Sequence, residues 1–359
     1  MPIAEEAARF KSWAAEQGIL TYQPPEDDLV GQGDDLNDLA ETNQAAAAES
    51  IFNARKINLV LVSPENNEII VCTHQKLTKK ELETLPETSE EGATFRYVKA
   101  HPPQIRIPAS GGPAAGNFTL HNNFYTCGSS ISIGNVVSAG TLGCLVQNAA
   151  GEIFGLTNNH VTGGCGYSEV HVPIVAPGLV DVRPGGHDPF TLGHHAQVAP
   201  WTTGIPDNID ATGNIDAAIF RVSNPALISS MQRAAYDTPT EIAPPQTGIS
   251  VRKVGRTTGL TSGTILGQSV GFEPVAMQVP QFNGLVYFHE VLVAQGNLGQ
   301  PFADRGDSGS LVVTTGNDGV TRAVGLVYAV SADKALTFII PIQRILNAFN
   351  VTLLGGHNA

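Results

Sequence analysis

The stretch GSLVVTTGNDGVTRAVGLVYAVSADKALTFIIP, residues 309–341, holds three apolar runs, GSLVVTT, TRAVGLVYAV and ALTFIIP, parted by short polar turn segments. Each run has the length and β-branched content of a strand, and the gaps leave no room for a helix. The same texture extends upstream through GTLGCLVQ, EIFGLTN, DAAIFRV, SVRKVG, TSGTILG and LVYFHEVLV. Strand after strand without intervening long helices predicts an antiparallel barrel or sandwich rather than a doubly wound sheet. Beyond Pro341, Ile342, Ile345, Leu346 and Phe349 fall on one helical face, so a C-terminal helix is expected to close this β-domain, residues 119–359. No solenoid or propeller period is visible.

The first third of the chain reads differently. Ala7, Phe10, Trp13 and Ala14 recur at helical spacing before Gly18, and a second helical stretch runs from Asp35 to Phe52, which makes residues 1–55 a helical region. KINLVLV, the turn PENN, EIIVC, a capping-box start TKKE and TFRYV then predict a small α+β unit over 56–100. HPPQIRIPASGGPAAGNF, residues 101–118, is rich in Pro, Gly and Ala and marks the expected linker between the two halves.

A length of 359 residues allows two or three domains, and 38 glycines and 23 prolines favour short strands and turns. The net charge of −13, of which −9 lies in residues 1–100, argues against nucleic acid or an anionic membrane surface as partner. MPIAEEAARFKSWAAEQG has acids where a secretory signal has bases and lacks an apolar core, so a cytoplasmic location is expected. Cys72, Cys127, Cys144 and Cys165 form no CxxC pair, and no metal or cofactor is expected. Asp27, Asp28, Asp34, Asp35 and Asp38 read as a solvated acidic face without EF-hand spacing.

Chemistry gathers around Ser308, in RGDSGS. A serine hydroxyl is a weak nucleophile and needs a base, a group that orients the base, and donors for an oxyanion. Gly306 lets the backbone turn so that the Gly306 and Ser308 amides can point at one spot. Of ten histidines, His160 sits where the run FGLTNNHV passes into a loop and can be presented by a rigid element. His187, His194 and His195 read as a solvated loop in preference to a metal site. Asp216 heads the apolar run GNIDAAIFRV, where burial would call for an imidazole partner, and Asp210 in DNIDATG is its competitor.

The order His160, Asp216, Ser308, within TNNHV, NIDAAIF and GDSGS and 56 and 92 residues apart, resembles the trypsin/chymotrypsin-like serine proteases, in particular their bacterial and plant trypsin-like branch. The resemblance covers residues 119–350. It implies two six-stranded β-barrels with the triad between them, an oxyanion hole from Gly306 and Ser308, and no cofactor. It also places Phe302, six residues before the serine, and Tyr328, Ala329 and Val330 of GLVYAV at the substrate, as a shallow apolar pocket for aliphatic side chains. Ser310 stands where the family has a second glycine. A disulfide straddling the histidine would be Cys144–Cys165, although cytosolic redox argues against it. Family zymogens pair a new N-terminus with the aspartate before the serine, here Asp307. Arg106-Ile107 is a conceivable cut for that purpose, but truncation to Ile107 is not expected to raise activity, because Asp307 can be satisfied internally.

VGRTTGLTSG reads as an inter-strand turn rather than a phosphate loop, and the RGD tripeptide as part of the serine motif. The expected function is therefore a serine endopeptidase acting on protein or peptide substrates of narrow or regulated range, with residues 1–118 available to a regulatory partner. An unused protease-fold scaffold, and a serine esterase or acyl-transferase, are the alternatives.

Overall fold

A computed structural model describes residues 2–30, 35–106, 120–204 and 206–359. The protein is mainly β: two antiparallel β units of the double-barrel type, a C-terminal helix, and a helical and α+β N-terminal region.

Helix α1 (Ile3–Glu16) buries Ala7, Phe10, Trp13 and Ala14 and ends before Gly18, whose φ of +63° turns the chain back. After α2 (Ala45–Arg55), the hairpin β1 (Ile57–Ser63) and β2 (Glu68–Thr73) is joined in parallel by β3 (Thr94–Lys99). All seven residues of β1 are buried, and their parity explains it. Val60 and Val62 face the helices, while Leu59 and Leu61 pack with the core shared by both β units. The α+β segment is thus no separate sheet, since Val62 and Leu61 pair with Gln268 and Ser269 of the second β unit. The expected linker likewise contributes β4 (Pro103–Arg106), which lies in that sheet. Ile107 and the rest of the expected linker fall outside the described residues.

The acidic stretch is also less solvated than its composition suggests. Asp28 accepts from Lys11 Nζ at 2.7 Å and from the Phe272 amide at 3.1 Å, while Asp35 and Asp38 form a capping box on a short helix. Asp34 lies outside the described residues.

The first β unit runs β5 (Ser130–Ile133), β6 (Cys144–Gln147), β7 (Ile153–Thr157), β8 (Pro173–Ala176), β9 (Phe190–Val198) and β10 (Ala218–Val222). Their order in space is β5-β8-β9-β10-β7-β6, flanked by the two-residue strands Gly140–Thr141 and Thr352–Leu353. Among the described residues this sheet stays open, a half-barrel rather than the implied closed one. Its Thr141 edge is spent on the other unit: the Thr141 amide donates to the Ser308 carbonyl at 2.8 Å.

The second unit comprises β11 (Ser250–Gly255), β12 (Gly259–Ser269), a projecting hairpin β13 (Phe272–Val279) and β14 (Phe282–His289), then β15 (Leu292–Gly296), β16 (Leu311–Thr315), β17 (Thr321–Ser331) and β18 (Leu336–Pro341). The ladder β11-β12-β15-β18-β17-β16-β11 closes a six-stranded barrel. Helix α3 (Ile342–Phe349) buries Ile342, Ile345, Leu346 and Phe349 in the core common to both units. The following Leu353 pairs with Val146, so the C-terminus ties the closed barrel to the open one.

Candidate active site

His160 and Asp216 are brought together by one register. Strands β7 and β10 are antiparallel neighbours whose last pair is Thr157 with Ala218, so the chain leaving β7 and the chain entering β10 emerge at the same end. His160 lies in the helical turn Asn159–Gly163 just past β7, and Asp216 lies just ahead of β10. The Asp216 carboxylate is fully buried, and both oxygens are used: Oδ1 accepts from the His160 amide at 3.0 Å, and Oδ2 stands 2.6 Å from His160 Nδ1. Asn158 Nδ2 donates to the Asp216 carbonyl at 2.6 Å and fixes that backbone. With Nδ1 committed to the carboxylate, the ring's free base is Nε2, which has no partner among the described residues. Asp210 is elsewhere in role and place: it is exposed and caps its own turn by accepting from the Thr212 amide at 2.9 Å.

Ser308 sits in the turn between the barrel's loop and β16. Gly306 and Gly309 take φ of +94° and +96°, values that a residue with a Cβ rarely adopts. A Cβ on Gly309 would also strike the Thr141 carbonyl and the Thr157 hydroxyl, so the serine turn presses directly on the strand end that carries His160. The Gly306 and Ser308 amides donate to no described residue, whereas the Asp307 and Gly309 amides between and after them are bonded at 2.9 and 2.8 Å. Two unspent N–H groups beside a serine hydroxyl are the arrangement an oxyanion hole requires. The Ser308 hydroxyl donates to the Tyr328 carbonyl at 3.4 Å.

What holds this turn is a set of buried ions, of which only Asp307 stands out in the sequence; Lys253, Arg256 and Asp181 do not. Asp307 is fully buried and accepts from Lys253 Nζ (3.2 Å), the Thr257 amide (2.7 Å), the Thr258 amide (3.1 Å), the Thr258 hydroxyl (2.6 Å) and the Asp304 amide (3.0 Å). Burial alone would push this carboxyl up, but the Lys253 ammonium and these donors hold it below the ordinary aspartate value. The partner that a new N-terminus would supply in a zymogen is therefore already present as Lys253. Behind the turn, Arg256 makes a two-pronged ion pair with Asp181 of the first unit, with Nε at 2.6 Å from Oδ2, and both side chains are buried. Thr141 completes the joint, its hydroxyl accepting from the Arg256 amide at 3.0 Å and donating to the Gly306 carbonyl at 2.9 Å. The segment VGRTTG is thus a hairpin turn, and its threonines grip Asp307. Lys253 had one legible signal, since it shares the inward parity of Val251 within SVRKVG.

The expected substrate pocket differs. Phe302 is 1% exposed and packs with Val251, Ile265 and Leu292 inside the barrel, and Val330 belongs to the same core. Tyr328 is fully buried against the Phe288 ring, with centroids 4.8 Å apart, and Ala329 is buried beside it. These side chains are core and line no side-chain pocket among the described residues. Cys144 and Cys165 do not form the implied bridge, and all four cysteines are free and buried. His194 and His195 lie on opposite faces of β9, one exposed and one buried, and no metal cluster exists among the described residues.

Comparison with known proteins gives three kinds of likeness. The family model described as the Nal1 C-terminal domain matches residues 240–344. The rice (Oryza sativa subsp. japonica) protein NARROW LEAF 1 is 34% identical over 88 residues, which span 24% of this chain but only 14% of the rice protein. Among solved structures, the Nocardiopsis protease NAPase has a TM-score of 0.40 at 19% identity, covering 62% of this chain and 95% of its own. Thermobifida fusca protease A has a TM-score of 0.41 at 19% identity, covering 64% and 98%. A glutamic acid specific serine protease has 0.42 at 19%, covering 64% and 100%. No helix among the described residues is long and apolar enough to cross a membrane.

Proposed function

We propose that the chain is a serine endopeptidase in which Ser308 is the nucleophile, His160 the general base and acid, and Asp216 the group that holds the imidazole. The observation that carries this reading is the fully buried Asp216 carboxylate 2.6 Å from His160 Nδ1, beside a serine turn that leaves two amides unspent. Ser308 Oγ attacks the scissile carbonyl carbon while His160 Nε2 takes its proton. The carbonyl oxygen, now anionic, rests on the Gly306 and Ser308 amides. Collapse breaks the C–N bond, His160 returns the proton to the leaving amine, and a serine ester remains. Water then repeats the sequence, its proton passing through His160, and releases the acid. Asp216 keeps the proton on Nδ1 throughout and stabilises the imidazolium.

Free, buried thiols support a reducing compartment such as the cytoplasm, and a regulatory partner would act through residues 1–118. The test is labelling with a small fluorophosphonate, followed by cleavage of a peptide library. Wild type is expected to carry one adduct, on Ser308, and to cut peptides; Ser308→Ala carries none, and His160→Ala and Asp216→Ala label far more slowly. An unlabelled wild type would make the fold a scaffold, and turnover of esters but never of peptides would make it an acyl hydrolase or transferase.

A further inference from the structure

Strand β17 has two edges beyond Leu326. One is held by β18, which pairs from Gly325 to Val330. The other belongs to β16 up to Leu326 and then passes to the serine turn: the Gly309 amide donates to the Val327 carbonyl at 2.8 Å, the Val327 amide to the Ser310 carbonyl at 3.0 Å, and Ser308 Oγ to the Tyr328 carbonyl. A peptide reaching Ser308 in extended form would add itself along this second edge, because an open strand edge beside a nucleophile offers a ready row of main-chain donors and acceptors. That edge is taken. Val330 and Ser331 pair antiparallel with Gln104 and Pro103 of β4.

The direction matters as much as the place. Higher numbers on β4 face lower numbers on β17, so β4 runs toward Ser308 as the residues ahead of a scissile bond would. Continuing the register sets Arg106 opposite Tyr328, the residue whose carbonyl the Ser308 hydroxyl touches. On its far side β4 is held in parallel by β13, with Gln104, Ile105 and Arg106 facing Ala276, Met277 and Gln278. Ile105 is buried in the shared core. The Arg106 side chain is exposed, and the Phe302 position offers it no carboxylate. A strand whose last side chain is not pocketed competes for the edge without being a good substrate.

We propose that β4 is a resident competitor: the chain's own residues 103–106 fill, in substrate orientation, the edge that an extended peptide needs, so that peptides gain Ser308 only by displacing them from Val330 and Ser331. This rests on the endopeptidase reading. It makes the two-residue ladder between β4 and β17 the gate. A ligand too small to use the edge is not gated.

The test uses the full chain and two probes: the small fluorophosphonate, and an N-acetylated tetrapeptide boronate ending in an aliphatic residue. Hydrogen exchange is read on the wild type with and without the boronate. The Gln104 to Arg106 amides are expected to exchange at least tenfold faster once the boronate is bound; unchanged protection overturns the proposal. Gln104→Pro, which removes one main-chain donor from β4, is expected to bind the boronate at least fivefold faster at an unchanged fluorophosphonate rate. Parallel changes in both rates overturn it, as does conversion of the wild-type chain into fragments broken after Arg106, which would make β4 a substrate. A chain that takes the fluorophosphonate but keeps β4 protected overturns this proposal alone, whereas a chain that never takes it overturns the peptidase reading and the proposal with it.

Discussion

The two halves of the candidate site are built by different means. His160 and Asp216 come from the open sheet, and one strand register with three hydrogen bonds is enough to join them. Ser308 comes from the closed barrel, and its turn is held by two buried ion pairs: Lys253 on Asp307 within the barrel, and Arg256 on Asp181 across to the other unit. The burial of the Asp216 carboxylate is offset by the imidazole and the amide of one residue, His160. The serine turn leaves two amides unbonded while the groups around them are tied down.

This contrast can be broken at its strongest point first. Asp216→Asn should leave the fold intact while lowering kcat/KM by about 10³–10⁴-fold, since the imidazole loses its tautomer and its stabilised cation; a thermal melt beside a peptide assay separates the two effects. In the serine half the order reverses. Lys253→Met leaves the Asp307 carboxylate buried without its counter-charge and should cost about 3–5 kcal/mol of stability, read by chemical denaturation, with labelling of Ser308 lost alongside. Near-normal stability in that variant would mean that the hydroxyl and amide donors suffice.

Asp307 also sets a pH limit. Its native value is depressed, so the stability it contributes is complete above the ordinary aspartate range and is lost as pH falls through the native value. Fluorophosphonate labelling of the wild type should therefore fade reversibly in acid. A second pH effect lies at the junction with the N-terminal region. Glu273 is fully buried, and its burial pushes the carboxyl up to about 8 against the opposing pull of Lys11. The native state keeps this proton after the unfolded chain has lost it, so stability should decline as pH rises from the ordinary glutamate value through about 8. Glu273→Gln should flatten that part of the curve. The smallest change expected is in Asp210→Asn, which should leave labelling within about twofold, because an exposed turn cap contributes little beyond its own turn.

Much of this was legible because it is local. Strand runs, the helix bearing Ile342 to Phe349, and the contexts of His160, Asp216 and Ser308 are all written in short windows. Lys253 and Arg256 were passed over because charged residues usually face water, and only their partners at 307 and 181 explain their burial. β4 had no local signal at all: HPPQIRIP reads as a breaker, and a proline is tolerated at Pro103 as the first residue of the strand. Its pairing comes wholly from strands more than 160 residues away. Phe302 was legible as apolar but not as core, since the sequence does not tell a pocket floor from a barrel interior.

The claim that His160, Asp216 and Ser308 act as one unit is tested most directly by the non-additivity of their loss. Peptide kcat/KM should be measured for Ser308→Ala, His160→Ala and the double variant. If the unit is real, the double variant is no slower than the worse single one, because either change removes the same step. Losses that multiply, or a His160→Ala enzyme that retains most of its activity, would contradict it.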